Sequence, residues 1–371
     1  MHALRRAFFI FVVHKIWVTA ASFYFVSHLH RTHTWKAFVK ASLISNFAKW
    51  DSVWYIGIAA HGYTKVSAAF FPLYPLTIRV GSEWLGISYR SSGLLITNIS
   101  LLLALFFLVR LIDLDYEEPV SWRAGLLLVL FPTGFYLSSV YTEAMFLMWT
   151  IGCMYYARMN QWWMAGLFGM FASLTRNTGI LMLLPVAYEY MRQAGWKLRN
   201  IRFQACAMAL IPLGLGLYML HLLKRLGDPL AFVHAQQYWH REFRFPLSTW
   251  FEGTYHLTVT KRKGWRLIYR WMSWLAATLE LAGTIFSVVL KMRGSYLVYL
   301  IPAVLIPLMS PNVAGEDYFY SIPRFFLTVF PLFLTAAILL ARKLCFIVIL
   351  VLSALGQVYL MYHITAGHFV S

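Results

Sequence analysis

Apolar runs long enough to cross a bilayer recur from one end of this chain to the other, and that recurrence limits its fold more than any motif does. Each run is about 17 to 25 residues, enough for roughly 30 Å of hydrocarbon. Stretches such as Leu101-Leu-Leu-Ala-Leu-Phe-Phe-Leu108 lack the strict alternation that a transmembrane barrel strand requires. The chain is therefore expected to be all-α, a polytopic transmembrane helical bundle. Composition agrees: 60% of the 371 residues are hydrophobic and only 12% are charged, which argues against a water-soluble globule. A formal net charge of +18, with no polar domain to hold nucleic acid, points to anionic membrane lipids or a phosphate-bearing substrate as partners.

Charge placement orients the spans. Arg5 and Arg6 precede the first run, 7–29, and favour a cytoplasmic N-terminus. That run lacks a small-residue cleavage site and reads as a retained span rather than a leader. Residues 30–90 are half apolar, broken by Pro72 and Pro75, and interspersed with Lys36, Lys40, Lys49, Lys65 and Arg79. They read as a long outer loop with interfacial helices. A rival reading makes 68–87 a full span and inverts every later loop. Further spans are expected near 92–112, 122–141, 143–157, 163–176, 178–191 and 203–223. After a second outer loop at 226–266, four more follow near 267–290, 295–311, 325–341 and 344–364, about eleven in all. Arg158, Arg192, Lys197, Arg199, Arg202, Lys291, Arg293, Arg342 and Lys343 then fall on the cytoplasmic side, with the acidic loop 113–118 flanked by Arg110 and Arg123. Two parts are expected: 1–225, holding the first outer loop, and 226–371, holding the second. Cys153, Cys206 and Cys345 all lie in apolar segments and read as small packing residues.

With only 14 acids, their positions can be followed one by one. Glu280 falls within a span, at a cost of roughly 2–3 kcal/mol unless neutral or paired. Asp51, Glu83, Glu143, Asp228, Glu242, Glu252, Glu316 and Asp317 face outward. Asp51 lies in Lys49-Trp-Asp-Ser-Val-Trp54, between tryptophans suited to the headgroup boundary. It is either the cap of an interfacial helix or a general base. Arg176 is either the salt-bridge partner of Glu143 or a binding group, and Arg324 either snorkels to headgroups or does the same. Gln236 and Trp239, in a loop that opens at Asp228-Pro229, are suited to hold a sugar. Lys261-Arg-Lys263 reads as a headgroup patch. His14, His221 and His363 show no metal-ligand spacing, so no metal is expected.

Taken in order, Trp50-Asp51, His61-Gly-Tyr63, Ala69-Phe-Phe-Pro-Leu-Tyr-Pro75, Phe131-Pro132, Tyr141-Thr-Glu143, Arg176-Asn177 with Gly179, Gly227-Asp-Pro229 and Pro323-Arg324 resemble the PIG-V family of membrane mannosyltransferases. The resemblance implies a polytopic glycosyltransferase of the GT-C class, acting on the non-cytoplasmic face with a lipid-phosphate sugar as donor and no cofactor. Asp51 takes the position of the essential acid in the first outer loop. Trp50, His61, Tyr63, Phe71, Tyr74, Tyr141, Glu143, Asn177, Gln236 and Trp239 are the expected substrate-binding residues. Arg90, Arg176 and Arg324 are the expected phosphate-binding ones. The chain departs from relatives with paired acids in that loop, since Ser52 follows Asp51 and Thr64-Lys-Val-Ser67 carries no acid. Its short loops look more like the bacterial branch, which implies a plasma-membrane location and leaves the glycan, lipid or protein acceptor open. Two rival classes are a lipid or solute transporter and a lipid-carrier-dependent glycan ligase.

Overall fold

A computed structural model describes residues 2–260, 262–314 and 317–370. Expectations on Lys261 and Glu316 lie outside these residues. Among them the chain is helical without a strand, as the apolar runs require. The first helix, α1 (His2–Leu29), leads into the segment containing α2 (Trp35–Leu43), α3 (Ser52–His61) and α4 (Leu73–Leu85). The reading of 68–87 as a span fails here. α4 has 13 residues between Pro72 and a left-handed Gly86, and it packs along only the start of the 24-residue helix Tyr89–Ile112, Tyr74 Oη bonding the Gly93 carbonyl and Thr97, so it does not run the length of a span.

Then come α5 (Tyr89–Ile112), α6 (Glu118–Val129), α7 (Glu143–Arg158), α8 (Trp162–Thr175), α9 (Leu183–Gln193), α10 (Leu210–Leu226), α11 (Ala231–His234) and α12 (Pro246–Val259). The chain closes with α13 (Trp265–Val289), α14 (Gly294–Leu308), α15 (Ile322–Phe326), α16 (Phe330–Leu339) and α17 (Lys343–Thr365). Five helices are long and apolar enough to cross a membrane on their own: α1, α5, the continuous 203–226 segment, α13 and α17. Several expected spans are shorter. The 122–141 run splits into α6 and a 3₁₀ turn at Gly134–Ser138 around Pro132, and the 178–191 run starts as a 3₁₀ turn, Asn177–Met182. These pieces are among the most buried in the molecule, α7 above all; packed inside other helices, they need not match the lipid thickness.

Two ionic layers mark the ends of the helices. In one, Arg6 bonds Asp113 and donates 2.8 Å to Ser121 Oγ, Arg158 grips Asp115 with bonds of 2.6 and 2.7 Å, and Arg293 grips Glu189 with bonds of 2.5 and 2.8 Å. These pairs tie the start of α1 and the end of α7 to the α5–α6 connection, and α9 to the start of α14, with Arg293 Nη1 3.9 Å from Asp115 between them. The acids of the 113–118 loop thus find partners far along the chain rather than in Arg110 and Arg123. The second layer holds Asp51, Glu143, Arg176 and Arg324. The described chain runs back and forth between the two layers through the five long apolar helices and the shorter ones packed among them. One apolar core extends from Ala7 to Val370, so 1–225 and 226–371 share it. Cys153 is buried in that core, whereas Cys206 and Cys345 are exposed on the outside of the bundle, against the packing role expected of them.

The turn that delivers Arg176 depends on close backbone approach. A Cβ on Gly179 would overlap the Ala172 carbonyl and the Ser173 nitrogen, both main-chain atoms that cannot swing away. Gly179→Ala is therefore expected to cost at least about 3 kcal/mol by overpacking. Fluorescence-detected size exclusion should show the detergent-extracted variant aggregating, while Gly57→Ala, with open space around it, behaves as wild type.

Candidate active site

Asp51 immediately precedes α3, where a capping aspartate would sit, yet its carboxylate makes no capping bond to that helix. It turns inward instead: Arg324 Nη1 donates to Asp51 Oδ2 at 2.5 Å. The capping reading is thereby displaced. The local chain is bent for this purpose. Trp50 has φ +56°, a left-handed conformation that costs an L residue roughly 1–2 kcal/mol. Long-range contacts hold it there. Tyr141 Oη accepts from the Asp51 nitrogen and donates to the Lys49 carbonyl, both at 3.2 Å, and Lys49 Nζ donates 2.9 Å to the Ile364 carbonyl and 3.1 Å to that of Thr365.

Glu143, at the start of α7, is the buried centre of the ion network, with 1% of its side chain exposed. Arg176 Nη1 donates to its Oε1 at 3.0 Å, and Arg324 Nε lies 3.3 Å from the same oxygen. Arg176 is the salt-bridge partner of Glu143, and it also lines a cavity. Arg324 does not snorkel; it is 11% exposed and lies between two carboxylates.

The cavity has a volume of about 300 Å³ and is walled by Asp51, Phe71, Arg176, Asn177, Gln236, Trp239 and Arg324 among the expected residues. The other expected residues take different places. Trp50 packs edge-on against Phe369 at the rim. Tyr141 and Glu143 stand behind the wall and position Asp51 and the arginines. Tyr63 Oη bonds the Phe70 carbonyl at 2.8 Å, and Tyr74 Oη bonds Thr97 Oγ1 at 2.6 Å. These two shape the Phe70–Pro75 turn from outside the cavity. His61 and Arg90 are exposed and line no part of the cavity. The assignment of Arg90 to phosphate is corrected on that ground: it opens α5, beyond the ion network.

Sequence reasoning missed Arg241 and Phe325. Arg241 donates 2.9 Å to the Ser310 carbonyl and lies 5.6 Å from the Tyr320 and Phe325 ring centres. Burial, ahead of every other cause, pulls its guanidinium down to about 10, which still leaves it charged at neutral pH. Phe325 also lies 5.2 Å from the Arg176 guanidinium and 5.5 Å from that of Arg324, so one ring spaces three cations. In sequence, His240-Arg-Glu-Phe-Arg244 has the alternating charge of a solvated loop, and nothing local signals that its first arginine turns inward. Among the described residues, no group of three His, Cys, Asp or Glu side chains has metal-binding proximity.

The family model described as mannosyltransferase (PIG-V) matches residues 30–258, a stretch that includes Asp51, Glu143, Arg176 and Arg241. The protein named GPI alpha-1,6-mannosyltransferase 2 from Rattus norvegicus is 28% identical over 240 residues, covering 61% of this chain and 47% of that protein. The protein of the same name from Homo sapiens is 33% identical over 150 residues, covering 38% of this chain and 30% of the other. This chain thus spans about half the length, or less, of the curated relatives it matches. Among solved structures, an oligosaccharyltransferase from Archaeoglobus fulgidus aligns with a TM-score of 0.45 and 12% identity, over 95% of this chain and 55% of that one.

Proposed function

The chain belongs to the mannosyltransferase (PIG-V) family, and from that premise we propose that it moves one mannose from a polyprenyl-phosphate carrier to an acceptor hydroxyl on the non-cytoplasmic face. The observation that carries this reading is the meeting of Asp51, Arg176 and Arg324 around one cavity, from parts of the chain up to 273 residues apart. The short connections on the opposite side hold Arg158, Lys291, Arg293, Arg342 and Lys343, which supports a cytoplasmic assignment there and an outer one for the cavity.

In the proposed reaction the acceptor oxygen attacks the anomeric carbon while Asp51 accepts its proton. The bond from that carbon to the phosphate oxygen breaks, and its electron pair stays on the phosphate. A singly charged phosphodiester becomes a polyprenyl phosphate that departs without needing a proton. Negative charge grows on the phosphate, and Arg176 and Arg324 are placed to meet it in a site partly shielded from water. Attack opposite the phosphate inverts the sugar, giving an α-mannoside from a β-linked donor. At about 300 Å³ the cavity is at the small end of ligand pockets, which range over roughly 300–1,000 Å³, and it suits one hexosyl phosphate better than a whole glycan.

The test is purified protein, labelled polyprenyl-phosphate mannose and membrane extract, with mass spectrometry of whatever gains a hexose. Transfer is expected to be unchanged by EDTA, since the cationic charge here is supplied by guanidiniums. No hexose gain from any polyprenyl-phosphate sugar would end the proposal, and loss of transfer on chelation, restored by a divalent ion, would remove its metal-free form.

A further inference from the structure

The proposed donor has three parts in series: an apolar chain, a phosphate and a sugar. The cavity accounts for the sugar, and its wall contains a cation that the mechanism above leaves unused. Arg176 and Arg324 are each paired with a carboxylate, whereas no carboxylate among the described residues lies within 4.0 Å of Arg241. Its guanidinium meets the Ser310 carbonyl and two aromatic rings. Asp51 and Glu143 are held by Arg324 and Arg176; Asp317 acts on Arg241 but also on Arg270 and Arg262, and Glu242 in the neighbouring recess pairs with Arg244, so Arg241 has no carboxylate of its own among the described residues. A phosphodiester carries one negative charge.

Behind Arg241 is a second recess of about 520 Å³, whose apolar wall is Val233, Phe243, Ile306 and Met309, with His234, Gln237 and Glu242 also lining it. It shares Gln236, Arg241, Ile306 and Ser310 with the first cavity, so the two are separated by the thickness of those side chains. Phe243 is 77% exposed and Val233 50%. Ile306 lies in the last turn of the apolar α14 and Met309 is its C-cap, at the end of that helix opposite Arg293.

We propose that Arg241 anchors the donor's phosphate and that this apolar recess holds the first isoprene units of its carrier chain. The inference rests on the lipid-phosphate donor proposed above. It sets the substrate's three parts in the order the molecule offers them: recess, Arg241, then the cavity with Asp51. The lack of a carboxylate partner within 4.0 Å of Arg241 among the described residues and the continuity of the recess with the cavity both select this occupant.

The experiment measures binding of sugar-free prenyl phosphate to the full chain in nanodiscs by native mass spectrometry, alongside competition by inorganic phosphate. Arg241→Gln is expected to weaken prenyl phosphate by about 10- to 100-fold, the range for a lost charge-assisted bond. Arg241→Lys should recover part of that loss. Phe243→Ser combined with Met309→Ser should weaken prenyl phosphate by about tenfold from lost apolar contact, while leaving competition by inorganic phosphate unchanged. Phe243 is exposed, so this variant tests the recess even if Arg241→Gln fails to fold. Prenyl phosphate binding within about twofold of wild type in both variants overturns the inference. Because the probe carries no sugar, the two readings separate. Arg241-dependent binding without mannose transfer would sink the proposed function and keep the anchor. Transfer and binding undisturbed by Arg241→Gln would do the reverse.

Discussion

Asp51→Asn is expected to lower the rate of mannose transfer by about 100- to 10,000-fold, the range that a positioned general base contributes, without raising the KM for the donor. The substitution preserves the size of the side chain and an oxygen that can still accept from Arg324, so the network keeps its shape. It removes only the ability to hold a proton. It also deletes one of the two negative charges beside three arginines, so a lipid phosphate should bind as tightly as before or more tightly. That division separates a base from a capping residue. Losing a cap would cost about 1 kcal/mol of stability and leave kcat alone, whereas losing a base takes kcat by far more than any change in stability accounts for. Steady-state rates with labelled donor, beside a melting curve in detergent, read both quantities. An undiminished kcat removes Asp51 from the reaction.

How far this site could be read beforehand depended on whether each residue's neighbours were local. Asp51, Arg176, Asn177 and Arg324 sit within short motifs, and a polar residue at the end of an apolar run is conspicuous in a chain that is 12% charged. The helical class follows from the length of the apolar runs. The extent of individual helices was less legible, because prolines divide several runs, and burial inside the bundle removes the need for each piece to match the bilayer. Arg241 was illegible for a different reason: it faces the cavity only because residues 233–243 fold back onto Ser310 at the end of α14, a contact between segments 69 residues apart. Arg90 was over-read from its place just ahead of a span. Tyr63 and Tyr74 belong to the right motif, but their hydroxyls bond to the Phe70 carbonyl and to Thr97, so they build the turn rather than line the cavity.

Replacing Arg324 is expected to damage both stability and catalysis, and by amounts that a double substitution can separate. Arg324→Met leaves Asp51, 17% exposed, and Glu143, 1% exposed, facing the space of a lost guanidinium. Arg176 still covers Glu143 Oε1, but Asp51 retains no cationic partner within ion-pair distance among the described residues. Breaking a buried pair in this way costs about 3–5 kcal/mol, because the surviving charge stays desolvated. The melting temperature in detergent should fall accordingly. Adding Glu143→Gln to Arg324→Met relieves repulsion between the two carboxylates, so the double variant should be more stable than the sum of its parts, by about 0.5–3 kcal/mol for residues in one network. Activity should not return with stability, since the cation that meets charge growing on the departing phosphate is still missing. Arg324→Lys is the sharper case. One ammonium cannot reproduce the guanidinium's reach to Asp51 and Glu143 at once, so it should keep much of the fold while losing most of the rate. If Arg324→Met melts and turns over like wild type, the ion network neither holds the outer ends of the helices nor serves the reaction.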